Sequence, residues 1–166
     1  MRPFAILMFL AFITVAASGQ STLREIDLRV NGIGSETSYT TVVRKLGNPL
    51  RRYMLKFKAS EACSGSPETH LTLIYSGLSI TLLGDGRGRH LAVSRFEVTS
   101  KKWVASGIRI GADFETVRTK FGKPNEIEGN SIDTIMYYVT IGNLGGVNFY
   151  FRNDKLVKIL MSDTLC

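Results

Sequence analysis

Residues 32–49 read GIGSETSYTTVVRKLGNP, and residues 107–124 read GIRIGADFETVRTKFGKP. The two stretches align without a gap at a constant offset of 75 residues. Seven of the 18 positions are identical: Gly32/Gly107, Ile33/Ile108, Thr41/Thr116, Val42/Val117, Lys45/Lys120, Gly47/Gly122 and Pro49/Pro124. Tyr39/Phe114 and Leu46/Phe121 are close substitutions. Unrelated segments do not share this much, so the spacing predicts an internal repeat.

Each stretch reads as a short capped helix. Tyr39, Val42, Val43 and Leu46 fall at i, i+3, i+4 and i+7, as one apolar stripe. Phe114, Val117 and Phe121 repeat it. Ser38 and Asp113 stand just before the stripes as expected N-caps, whose side-chain oxygens accept from open backbone N–H groups. Gly47 and Gly122 follow the stripes, where a left-handed C-cap favours glycine. Pro49 and Pro124 prevent continuation. A helix of two or three turns is marginal alone and must pack on something.

Alternating runs follow each helix. Tyr53, Leu55 and Phe57 alternate with Met54, Lys56 and Lys58. Residues 71–75, 78–82 and 91–98 complete the first set, with residues 84–88 (GDGRG) as the turn before the last run. In the second half the candidates are residues 134–140, 147–151 and 156–161, with Arg152-Asn153-Asp154-Lys155 as the last turn and a weakly signalled strand near 125–128. The fold class expected is α+β. Each of two tandem repeats is a short helical segment packed on an antiparallel sheet of three to four strands. Leu78, Ile80 and Leu82, matched by Val147, Phe149 and Phe151, are expected to face the helix; Ser79, Thr81, Asn148 and Tyr150 face away.

The organisation expected is a signal peptide over residues 1–19, a first α/β repeat over 20–102 and a second over 103–166. Arg2 precedes an almost unbroken apolar run over residues 4–15, and Ala16, Ala17, Ser18 and Gly19 supply a small-residue cleavage region. The run is shorter than the ~20 residues a membrane span needs. No cysteine precedes Cys63, so lipidation at the cleavage site is not expected. The chain is read as secreted or periplasmic, cleaved near Gly19 and not membrane-spanning. The net charge of +7 becomes +6 without Arg2, which allows contact with anionic surfaces. Nucleic acid is not expected for an exported chain.

Two cysteines, Cys63 and Cys166, are expected to form a disulfide in an oxidising compartment. Pairing between molecules through Cys166 is the alternative, and no CxxC or nearby histidine supports thiol catalysis.

The lead-in with Gly, the valine-bearing capped helix and the LGxP or FGxP close, clearest at Ile108-Arg109-Ile110-Gly111, Val117 and Phe121-Gly122-Lys123-Pro124, resemble a known group. The pattern is similar to the fold shared by the secreted β-lactamase inhibitor protein and the small outer-membrane assembly lipoproteins of the SmpA/OmlA type. Tandem copies and a signal peptide without a lipidation cysteine resemble the inhibitor form. The resemblance implies the fold and a non-enzymatic, protein-binding role. It covers caps and core, and carries no contact residue across.

Enzyme signatures are scarce. Two histidines, His70 and His90, form no HExxH set, and neither a GxSxG elbow nor a P-loop is present. No catalytic residue, metal or cofactor is expected. The function expected is binding another exported or envelope protein through the open sheet face; the alternative is an envelope structural or assembly factor held to anionic surfaces. Tyr150 is expected on that face. Tyr138, Met54 and Trp103 either join it or fill the core between the repeats, since a one-residue slip exchanges the faces. Arg87 and Arg89, beside His90, make the GDGRG turn a basic contact point or a solvated tip.

Overall fold

Alternation sets the strands, and the two glycine-terminated stripes set the helices. The computed structural model describes residues 25–62, 64–140 and 145–162. In chain order the elements are β1 (Glu25–Ile26), α1 (Tyr39–Leu46), β2 (Arg51–Phe57), β3 (Glu68–Tyr75), β4 (Leu78–Asp85), β5 (Ala92–Val98), α2 (Phe114–Phe121), β6 (Glu126–Gly129), β7 (Asp133–Thr140), β8 (Gly146–Arg152) and β9 (Lys155–Ser162). The α+β class holds, but the strands form one sheet and not two. Its order is β1-β7-β8-β9-β5-β4-β3-β2, and β6 lies beside β1 on the outer edge of β7.

The joint is the antiparallel pairing of β5 with β9, Phe96 opposite Met161 and Val98 opposite Ile159. Each is the last strand of its half and lacks an outer neighbour within that half. Pairing them satisfies both edges and makes one apolar face continuous.

The halves use the same devices. Val30 and Ile33 exchange backbone hydrogen bonds, as do Ala105 and Ile108, 75 residues later. The two lead-ins also bond each other reciprocally: the Asn31 N–H donates to the Val104 carbonyl at 3.0 Å and the Ser106 N–H to the Arg29 carbonyl at 2.8 Å. The Tyr75 hydroxyl donates to the Gly47 carbonyl at 3.2 Å, and the Tyr138 hydroxyl to the Gly122 carbonyl at 2.8 Å. A register shift follows Thr81 in the β4–β5 pair and Tyr150 in the β8–β9 pair.

The helix ends differ in part from expectation. Gly47 (φ 78°, ψ −168°) and Gly122 (φ 82°, ψ −160°) combine positive φ with extended ψ, a region open essentially to glycine alone, and not the left-handed helical region. Neither Ser38 nor Asp113 makes a side-chain cap. The Ser38 hydroxyl meets Thr40 and Thr41, and the Asp113 carboxylate pairs with Lys155.

Both helices cover the same sheet face. Val42, Val117 and Phe121 join Leu73, Ile80, Phe96, Phe149 and Ile159 in one core. Phe121 stacks within 5.3 Å of Phe149 and 5.9 Å of Tyr138, and Phe114 meets Phe151 edge-on at 5.2 Å. The six residues expected to face the helices, Leu78, Ile80, Leu82, Val147, Phe149 and Phe151, are all buried. Burial of a side chain of this size contributes roughly 1.5–3 kcal/mol, which is what holds two eight-residue helices that would not persist alone.

β2 departs from its sequence pattern. Its alternation signals a half-buried strand, yet its first six residues are exposed and Phe57 is only partly covered. It is the sheet's outermost strand, where Tyr53, Met54 and Leu55 are exposed on alternating sides. The signal peptide expected over residues 1–19, and the expected disulfide partners Cys63 and Cys166, lie outside the described residues.

Candidate functional site: the open sheet face

The face opposite the helices is built from the alternate residues of the same strands. Directly paired residues share a side, so the register places Thr72, Thr81 and Arg95 in one row. Ser79, Glu97, Leu160, Asn148 and Tyr137 lie in the next. All of these are partly or fully exposed. The Thr72 and Thr81 hydroxyls meet at 3.2 Å. The Tyr137 ring lies across Gly146, so close that a Cβ there would stand 2.1 Å from the ring. Glycine at 146 is what lets the aromatic lie flat on the sheet.

Tyr150 stands on this face, as its alternation predicts. The Lys158 ammonium sits 3.8 Å from its ring centroid, a cation–π contact. The register shift after Tyr150 creates this pair: continuing the Phe151–Leu156 register would set Val157 opposite Tyr150. Instead Lys158 takes that place and Val157 is 40% exposed. Lys158 was missed in the sequence because a bulge leaves no reliable one-letter signal. Tyr150 and Lys158 help line a groove of about 590 Å³ together with Asp133, Ile135 and Arg152. The Arg152 guanidinium donates to Asp133 at 2.9 Å within it.

Two aromatics considered for this face are elsewhere. Tyr138 is fully buried on the helix side, between Phe121 and Phe149, with its hydroxyl on Gly122. Trp103 is 6% exposed; its indole N–H donates to the Ser76 carbonyl at 2.8 Å and its ring meets Tyr75 edge-on. Neither offers an interface anchor, because each has its polar atom satisfied inside the core. Met54 lies on the helix side of β2, exposed at the margin.

The loop from Asp85 to Arg89 is a self-contained structure. The Asp85 carboxylate accepts from the Arg87 N–H at 3.0 Å, the Arg89 N–H at 2.8 Å and the Arg89 guanidinium at 2.9 Å. These bonds, the Arg89 N–H foremost, hold its carboxyl below the ordinary carboxylate value. The N–H groups that a phosphate would engage are thus taken by the chain's own carboxylate. Arg89 is paired, while Arg87 stands exposed at the tip.

Glu68 is the one buried carboxylate among the described residues. Bonds from Ser64 first, and then His70 at 3.2 Å, hold it below the usual range against the opposing effect of burial. Among the described residues no group of three or more His, Cys, Asp or Glu is placed to hold a metal ion, and no helix is long and apolar enough to cross a membrane.

No protein-family profile matches the sequence, and no curated protein matches it. Two solved structures resemble the chain at low identity. One is an extracellular protein containing a SCP domain from Bacillus anthracis str. Ames, with a TM-score of 0.46 and 13% identity, over 77% of this chain and 43% of that one. The chain therefore spans less than half of that protein. The other is a DUF4309 family protein (YjgB) from Bacillus subtilis subsp. subtilis str. 168, with a TM-score of 0.40 and 10% identity, over 76% of this chain and 78% of that one.

Proposed function

We propose that this chain is an exported, non-enzymatic module that binds another protein through its open sheet face. The observation that carries the reading is that both helices sit on one side, leaving the other side of a nine-stranded sheet to present Tyr137, Tyr150 and Lys158. Aromatic and cationic side chains on a rigid surface are the usual anchors of protein interfaces. The apolar N-terminal run with its small-residue close supports export.

The scaffold is a tandem repeat in this reading, of the kind the β-lactamase inhibitor protein and SmpA/OmlA resemblance implies. The 75-residue offset in the lead-in bonds and the helix glycines supports it, as do the paired Tyr75 and Tyr138 bonds and the matched register shifts. The repeated residues build the scaffold, so specificity falls to the residues that do not repeat.

Affinity capture from an envelope or secreted fraction tests the reading. A partner held in high salt, lost with Tyr150→Ala while the melting temperature is unchanged, supports it. A partner released by salt and insensitive to Tyr150→Ala favours attachment to anionic surfaces through the net positive charge. Capture that neither Tyr150→Ala nor Lys158→Ala weakens overturns the open-face site.

A further inference from the structure

The two outer margins of the sheet are built differently. On one side β6 is four residues long, carries Glu126 and Glu128, ends at Gly129 with φ 118° and shares the edge of β7 with β1. A short, charged, shared edge is how native sheets prevent unwanted pairing. On the other side β2 runs seven residues in unbroken register with β3, from Arg51 opposite Ile74 to Phe57 opposite Glu68. Among the described residues no strand pairs with its outer side. Leu50, Tyr53, Met54 and Leu55 are 72%, 52%, 54% and 61% exposed, four of the seven large apolar side chains exposed among the described residues. Arg51, Arg52, Lys56 and Lys58 punctuate them, all exposed, with no acidic residue between 50 and 58.

We propose that the outer edge of β2 takes up an extended acidic–apolar segment of another protein as an added strand. Main-chain bonds to an open edge supply affinity, and side-chain sites on alternate faces supply selectivity. On the helix side, Arg52 and Lys56 flank Met54, next to a cavity of about 490 Å³ lined by Tyr39, Arg52, Met54, Leu71 and Leu91. That side fits two carboxylates around one apolar group. On the open side, Tyr53 and Leu55 follow Arg51, which fits two apolar groups and one carboxylate.

A second copy of the chain fits poorly. An antiparallel β2–β2 pair centred on Met54 sets Arg52 directly opposite Lys56 of the other copy, twice over. Like charges directly opposed destabilise a strand pair. The cations therefore deter self-association and admit an acidic strand. This site is separate from Tyr150 and stands or falls independently of it.

The test is amide exchange by NMR on the purified protein, with a capped eight-residue peptide alternating glutamate and valine, and a lysine–valine peptide as control. The glutamate peptide is expected to slow alternate amides of β2 by tenfold or more, and the lysine peptide to leave them unchanged. Arg52→Glu with Lys56→Glu abolishes the effect, Tyr53→Thr with Leu55→Thr weakens it, and Tyr150→Ala preserves it. The four β2 side chains are exposed, so their variants are expected to keep the wild-type melting temperature. Unchanged β2 exchange with the glutamate peptide overturns the proposal. So does equal slowing by both peptides, protection confined to β7–β9, or slowing of β2 with protein concentration alone, which assigns the edge to a second copy.

Discussion

The two halves of the molecule match in the middle and diverge at the margins. β3–β5 and β7–β9 share alternation and bulge position, whereas β2 and β6, both exposed, differ in length and charge. The difference separates two demands on the sequence. The centre must exclude water and fill one continuous core, so its residue types are tightly constrained. The margins are freed from that demand and are where a binding specificity can be written without cost to the fold.

The strongest test of the match lies in the core. Phe149→Ala is expected to cost about 3–5 kcal/mol and Ile80→Ala about 2–5 kcal/mol in denaturant unfolding, each site being fully buried at the equivalent strand position. Because β5 and β9 join the halves, each variant should lower the midpoint of one cooperative transition. A second transition after either change would break the comparison. Gly47→Ala and Gly122→Ala come next, at about 1–3 kcal/mol each, because both glycines hold a backbone conformation that a Cβ strains. At Gly47 nothing lies within 4 Å of the added carbon, so its cost is purely conformational. Thermal melts of the two variants should fall together.

The margins should respond far less. Tyr53→Thr and Leu55→Thr on one edge, and Ile127→Thr on the other, are expected to change stability by no more than about 0.5 kcal/mol, since all three side chains are more than half exposed. The smallest effect is local and confined to the first half. The carboxyl of Asp85 is lowered in the folded state, so its contribution is present above the unfolded value and is lost as pH falls through the folded one. The Arg87 and Arg89 amides should therefore keep their protection through the ordinary aspartate range and lose it only at lower pH. The β8–β9 turn, made by Asn153 and Asp154 with φ of 48° and 60°, has no equivalent carboxylate clamp and sets the reference.

The central architecture was legible because helix stripes, terminal glycines and strand alternation are all local signals. The union of two expected sheets into one was not, since the pairing of β5 with β9 joins residues far apart in sequence and each strand reads alike with or without it. β1 escaped notice because two residues carry no period, and β6 was faint because Ile127 is its only large apolar residue. At the candidate site Tyr150 followed from alternation, while Tyr138 and Trp103 turned on register and packing that alternation leaves open. The exposure of β2 was hidden for a related reason: its pattern is that of a covered strand, but its place at the end of the sheet leaves it bare.

Native-state amide exchange on the unliganded protein tests the match and the divergence together. Protected amides of β3–β5 and β7–β9 are expected to exchange with one common free energy, that of global unfolding, while the outer amides of β2 and β6, at the sheet edges, exchange freely. Exchange of one half as a separate, weaker unit, or protection of β2 equal to that of the central strands, would contradict this.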